Sequence, residues 1–120
     1  MNLSGHSVGL VCKEFDVKLE NVLLIHDDLD LNFGTIRIKQ GGGSGGHRGV
    51  QSVINAIGSD FVHFKVGIGR PLEGSIFDFV LSDFAPREST YFCELFELGI
   101  RVIDNFLTQP IQTTMREFNQ

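Results

Sequence analysis

Val22-Leu23-Leu24-Ile25, followed at once by His26-Asp27-Asp28-Leu29-Asp30, decides the fold class of this 120-residue chain. The four apolar residues are consecutive and do not alternate with polar ones. Strands inside parallel α/β sheets are buried on both faces and read as continuous apolar runs. A buried strand is therefore predicted over residues 21–25. The polar cluster falls past its C-terminal end, where sheets of this class place ligands.

The neighbouring segments fit the same class. Residues 34–40 alternate, which predicts a half-exposed strand with Arg37 and Lys39 on one face. Upstream, Asn2-Leu3-Ser4 is read as a helix cap, opening a helix to about Phe15 with an apolar face of Val8, Leu10, Val11 and Phe15. Downstream, residues 61–69 read as a strand stopped by Arg70-Pro71, and residues 76–81 are short and apolar. Pro86 suits the first turn of the longest helix, to about Leu107, whose apolar residues follow a 3.6-residue period. A last short helix is predicted over residues 111–118. No repeat or domain boundary interrupts the chain, so the expectation is one α/β domain with a mixed sheet.

Between the second strand and the next helix lies Gly41-Gly42-Gly43-Ser44-Gly45-Gly46-His47-Arg48-Gly49, holding six of the fourteen glycines. Few side chains remain there to build a core, so the backbone is the working part. Glycine permits positive φ and close approach of another molecule. A glycine loop feeding a helix N-terminus presents unpaired N–H groups and a positive dipole end, which suits phosphate. Gly/Ser runs are commonly linkers, but hydrophobic segments close on both sides argue against one here. No Lys-Ser/Thr follows the glycines, and no acidic residue is suitably placed downstream, so neither nucleotide-binding fingerprint is met.

Charge sharpens this reading. The net charge is −5, yet residues 37–70 carry Arg37, Lys39, Arg48, Lys65 and Arg70 against Asp60 alone. A basic segment around a glycine loop in an acidic chain is the footprint of a local phosphate site. Cys12 and Cys93 lie far apart without metal spacing and read as reduced, mostly buried thiols of a cytosolic protein. The acidic cluster lacks a second ligand set, so no metal is expected. No apolar run approaches the roughly 20 residues of a membrane span, and no signal peptide is visible at Met1.

Four blocks in this order resemble bacterial-type peptidyl-tRNA hydrolases. They are Met1-Asn2-Leu3-Ser4-Gly5, His26-Asp27-Asp28-Leu29-Asp30, Lys39 through the glycine loop to Gly49, and Val66-Gly67-Ile68-Gly69-Arg70-Pro71. The resemblance covers essentially the whole chain. It implies a three-layer α/β/α fold with a mixed central sheet, lacking its N-terminal strand, in a single incomplete domain over residues 1–120. It implies hydrolysis of the ester between peptide and tRNA, without metal or cofactor, by a cytoplasmic and usually monomeric enzyme.

The same resemblance distributes roles. Asp27 matches the acid that orients and polarises a catalytic His, and Asn2 an Asn that contacts the peptide backbone. His47, Gly45 and Gly46 belong to the loop shaping the cleft, and Arg37 and Lys39 resemble residues facing tRNA phosphates. Arg48 stands where the family usually has an Asn that helps hold the water and the oxyanion. Arg donates hydrogen bonds but cannot accept one. The family's general-base His belongs to an N-terminal segment that has no counterpart here, and none of His6, His26, His47 and His63 has its context. Weak or absent activity is therefore expected, with self-association through the vacated sheet edge. The alternative is a non-catalytic, splicing-factor-like RNA-binding homologue. Without the resemblance, Asp27, Asp28 and Asp30 read equally as a solvated turn, Asn2 as a helix cap, Arg37 and Lys39 as a protective charged edge, and His6 and His63 as surface or packing residues.

Overall fold

The computed structural model describes residues 3–69 and 86–119. Asn2, Arg70-Pro71 and the apolar segment at 76–81 lie outside the described residues. The elements are α1 (Ser4–Glu14), β1 (Leu23–Asp28), β2 (Ile36–Gln40), α2 (Arg48–Ile57), β3 (Val62–Gly67), α3 (Pro86–Thr108) and α4 (Ile111–Phe118). The strands are ordered β1-β3-β2. Val62 N donates to Val22 O and Ile68 N to Asp28 O, so the register rises together and β1 and β3 are parallel. Gly41 N donates to Phe61 O and Gly67 N to Thr35 O, so β2 runs antiparallel to β3. The mixed sheet expected from the sequence is present.

Two local expectations are corrected. A 3₁₀ turn occupies Leu19–Asn21, and β1 continues through His26, Asp27 and Asp28, which therefore lie in the strand and not beyond it. The apolar run is also not buried throughout: Ile25 is 48% exposed while His26 is only 7% exposed. Helix α1 starts and stops where the sequence places it, but its cap residue, Leu3, lacks a side-chain bond. Leu10, Val11 and Phe15, expected to form an inner face, are exposed.

The chain divides into two compact units, Met1–His26 with Arg37–Lys65, and Asp27–Ile36 with Val66–Gln120. In the first, α1 packs on α2. Gly5 is the buried residue of α1, and its N–H donates to Ser52 Oγ at 3.0 Å. The core here is Val50 and Val53 of α2 with Phe61, and Val8, Val22, Leu24, Ile54 and Ile57 pack around it. Burial of these apolar groups is the main stabilising term. Val53 is fully buried, so Val53→Ala should cost about 2 kcal/mol through lost transfer energy and a residual cavity. A urea unfolding midpoint reads that loss.

In the second unit α3 and α4 meet through polar and apolar contacts. Asn105 of α3 accepts from the Thr114 hydroxyl and donates from Nδ2 to Glu117 Oε2 at 3.0 Å. The Arg101 guanidinium lies 5.8 Å from the Phe118 ring centroid, in cation–π range. Val102 and Phe118 are buried. The two cysteines are free, with Cys12 half-buried and Cys93 exposed. Mostly buried thiols were expected, and the exposed Cys93 of α3 departs from that.

Candidate functional site

The first unit carries most of the predicted site. In β2, Ile38 is buried while Arg37 and Lys39 are exposed. The period of two places both cations on one face, as the sequence suggests. The loop then leaves the sheet with Gly41 N bonded to Phe61 O at 2.9 Å. Gly41, Gly42, Gly45 and Gly46 have φ of 75°, 99°, 58° and 88°. Side chains rarely adopt that left-handed region, so the run needs glycine. A Cβ added at Gly43, Gly45 or Gly46 would meet nothing within 4 Å. The backbone there is open to another molecule. A Cβ on Gly42 would stand 3.2 Å from Lys39 Nζ, so the Lys39 ammonium lies along the loop.

The loop ends by capping a helix. His47 N donates to Ser44 O at 3.0 Å, and Val50 N donates to His47 Nδ1 at 3.2 Å. His47 is thus the N-cap of α2, a role its Nδ1 fills as a carboxylate or hydroxyl would. In that geometry Nδ1 carries no proton. Arg48, the first residue of α2, is exposed, and the first turn holds no acid. A cation therefore adds to the positive end of the helix dipole, and both favour an anion.

Behind the loop is a cluster that the sequence reading did not assemble. His26 and His63 share a hydrogen bond, His26 Nε2 to His63 Nδ1, at 3.1 Å. The His26 ring also meets the His47 ring edge-on, with centroids 5.4 Å apart. The Phe61 ring lies 4.6 Å from that of His63. His63 is 0% exposed and its Nε2 has no hydrogen-bond partner. Its pKa is lowered from 6.5 to about 4, chiefly by burial and then by His26, Lys65 and Lys39. The signal available was the period of two: His63 and Lys65 share one face of β3, and Phe61, just before the strand, continues that period. No group of three or more His, Cys, Asp or Glu among the described residues is arranged to hold a metal.

Asp27 follows His26 along β1 and is half-buried. Beyond it, Asp28 Oδ1 accepts from Asp30 N at 2.8 Å, so part of the acidic cluster closes a local turn. Asn2 lies outside the described residues.

The peptidyl-tRNA hydrolase family model matches residues 1–120. The chain belongs to the peptidyl-tRNA hydrolase family. It is 40% identical over 120 residues to peptidyl-tRNA hydrolase of Pelobacter propionicus, covering 99% of this chain and 62% of that protein. With the Campylobacter curvus enzyme it shares 40% identity over 118 residues, or 98% of this chain and 63% of the relative. Among solved structures, a mutant peptidyl-tRNA hydrolase from Acinetobacter baumannii superposes with a TM-score of 0.91 at 32% identity, covering 99% of this chain and 61% of that one. The α/β fold of the peptidyl-tRNA hydrolases is therefore present. The chain spans about three fifths of the length of the relatives it matches. No helix among the described residues is long and apolar enough to cross a membrane.

Proposed function

We propose that this chain binds peptidyl-tRNA in the cytoplasm and forms the larger part of a hydrolase for the ester between peptide and tRNA. The observation that carries the reading is the meeting of the open glycine backbone with cationic side chains. Lys39 lies along the loop, Arg37 shares its face, and Arg48 opens the helix that the loop caps. Phosphate neutralisation supplies most of the sequence-independent affinity for nucleic acid. Asn2 and Asp27 take the family's peptide-binding and His-orienting roles, and Gly45, Gly46 and His47 shape the cleft rim.

In the reaction so proposed, an imidazole takes a proton from water and the hydroxide oxygen bonds to the ester carbonyl carbon. The ribose oxygen then leaves with a proton, giving a peptide carboxylate and a tRNA 3′-hydroxyl. The histidines here are otherwise engaged or distant in role: His47 caps α2, and His26 and His63 share one hydrogen bond. His6 is an exposed residue of α1. We therefore assign the general base to none of them, and residues 1–120 by themselves should cleave weakly or not at all.

The test has two arms. Binding of deacylated tRNA, followed against salt, should give a steep negative slope of log affinity on log salt. Lys39→Ala and Arg37→Ala should each flatten that slope by about 1 and weaken binding to all tRNAs alike. Salt-independent binding would sink the reading. Cleavage of an N-acetylaminoacyl-tRNA is then compared for the chain alone and for the chain fused to the segment of a full-length relative that it does not span. Activity in the fusion only supports an incomplete hydrolase domain. Binding with no cleavage in either supports a second reading, a non-catalytic RNA-binding homologue. That reading is favoured by Arg48, which cannot accept the hydrogen bond a neutral amide would.

A further inference from the structure

We propose that His26 and His63 are positioning residues for the glycine loop: with His47 they form a three-imidazole chain from the sheet to the loop, which holds the loop exit only while His47 Nδ1 stays unprotonated. Each link demands a bare nitrogen. The 3.1 Å contact between His26 Nε2 and His63 Nδ1 needs one N–H and one lone pair, so the two rings cannot both be doubly protonated across it. The cap bond from Val50 N needs a lone pair on His47 Nδ1. His26 touches both other rings edge-on, with centroids 5.4 Å from His47 and 5.3 Å from His63.

The surroundings resist added charge. From β1 comes His26, from β3 Lys65 and from β2 Lys39, all raising the potential at the buried His63 ring. Arg48 adds a cation at the start of α2, and Asp27 is the neighbouring acid along β1. His63 is fully enclosed against Phe61 and has no second partner to take a proton's charge. A proton that reaches His47 Nδ1 breaks the Val50 cap, and with it the fixed exit of the loop.

The link to tRNA rests on the function proposed above, whereas the coupling among the rings does not. Imidazole ¹⁵N shifts and the Val50 amide shift are recorded from pH 4.5 to 8.5 in the whole chain and in His63→Phe, which keeps ring volume and loses the nitrogens. The Val50 amide and His47 ring shifts are expected to differ between the parent and His63→Phe, because the cap bond loses the ring chain behind it. Val50 amide and His47 ring shifts unchanged in that variant overturn the proposal. His63→Gln, which retains a hydrogen-bonding group, provides the same comparison should the Phe variant not fold. For tRNA, His63→Phe should weaken binding about threefold at pH 7.5 through the loosened loop, and unaltered binding overturns the loop-positioning role. If the unaltered chain itself binds no tRNA, the functional reading fails, and the ring coupling is decided by the shifts alone.

Discussion

Gly5→Ala is expected to destabilise the protein by about 3 kcal/mol and to lower its melting temperature by about 10 °C. A Cβ at Gly5 would overlap the Ser52 carbonyl and stand 2.7 Å from Ser52 Oγ. The obstacle is the backbone of α2, which no rotamer change can clear. Alanine's helix propensity would return only about 1 kcal/mol. Against that stand overpacking, typically 1–3 kcal/mol, and loss of the 3.0 Å bond from Gly5 N to Ser52 Oγ, worth about 1 kcal/mol. The unfavourable terms exceed the gain. Ser52→Ala, which removes the hydrogen bond without adding bulk, should cost only about 1 kcal/mol. Thermal and urea melts of both variants separate the two effects, and a Gly5→Ala protein as stable as its parent would contradict the close helix contact.

The second large effect is acid sensitivity traced to one residue. His63 has its pKa lowered from 6.5 to about 4, first by burial and then by His26, Lys65 and Lys39. In the unfolded chain the same ring titrates near its ordinary value. Between about pH 6.5 and 4 the unfolded state therefore binds a proton that the native state refuses, and stability falls as pH falls. The contribution is fully present above about pH 6.5, is lost progressively down to about pH 4, and changes no further below. At about 1.4 kcal/mol per pH unit the loss is about 3 kcal/mol, a large share of a typical folding free energy. Urea midpoints at pH 7.5 and 4.5 should diverge strongly for the parent and much less for His63→Phe. Surface carboxylates contribute equally to both proteins and cancel in the comparison. Parallel pH dependences would remove His63 as the cause.

Much of this was legible in the residues. Helices α2, α3 and α4 follow from 3.6-residue periodicity, and β2 from alternation, since in each a single face is buried. The Arg37–Lys39 face and the glycine loop needed only spacing and the steric freedom of glycine. The limits of β1 were not legible, because His26 is a polar residue that meets a ring from β3, 37 residues away along the chain and invisible to a local window. The inner face of α1 was misread for a related reason. Its closest contact is made by a residue with no side chain, Gly5, and of the expected face only Val8 packs on the core, while Leu10, Val11 and Phe15 are exposed. His63 shows the same principle at the site: identity alone could not separate a surface ring from one sealed beneath a loop.

The division into two units has a consequence for how the protein is made. The chain passes from one unit to the other at His26/Asp27, Ile36/Arg37 and Lys65/Val66, each time within a strand. Neither unit is a continuous stretch of polypeptide. During synthesis, the first cannot close until Lys65 has emerged from the ribosome, and the second waits for its C-terminal helices. Arrest-peptide force profiles should accordingly register no folding before β3 is out, and a gene cut anywhere between β1 and β3 would divide both units.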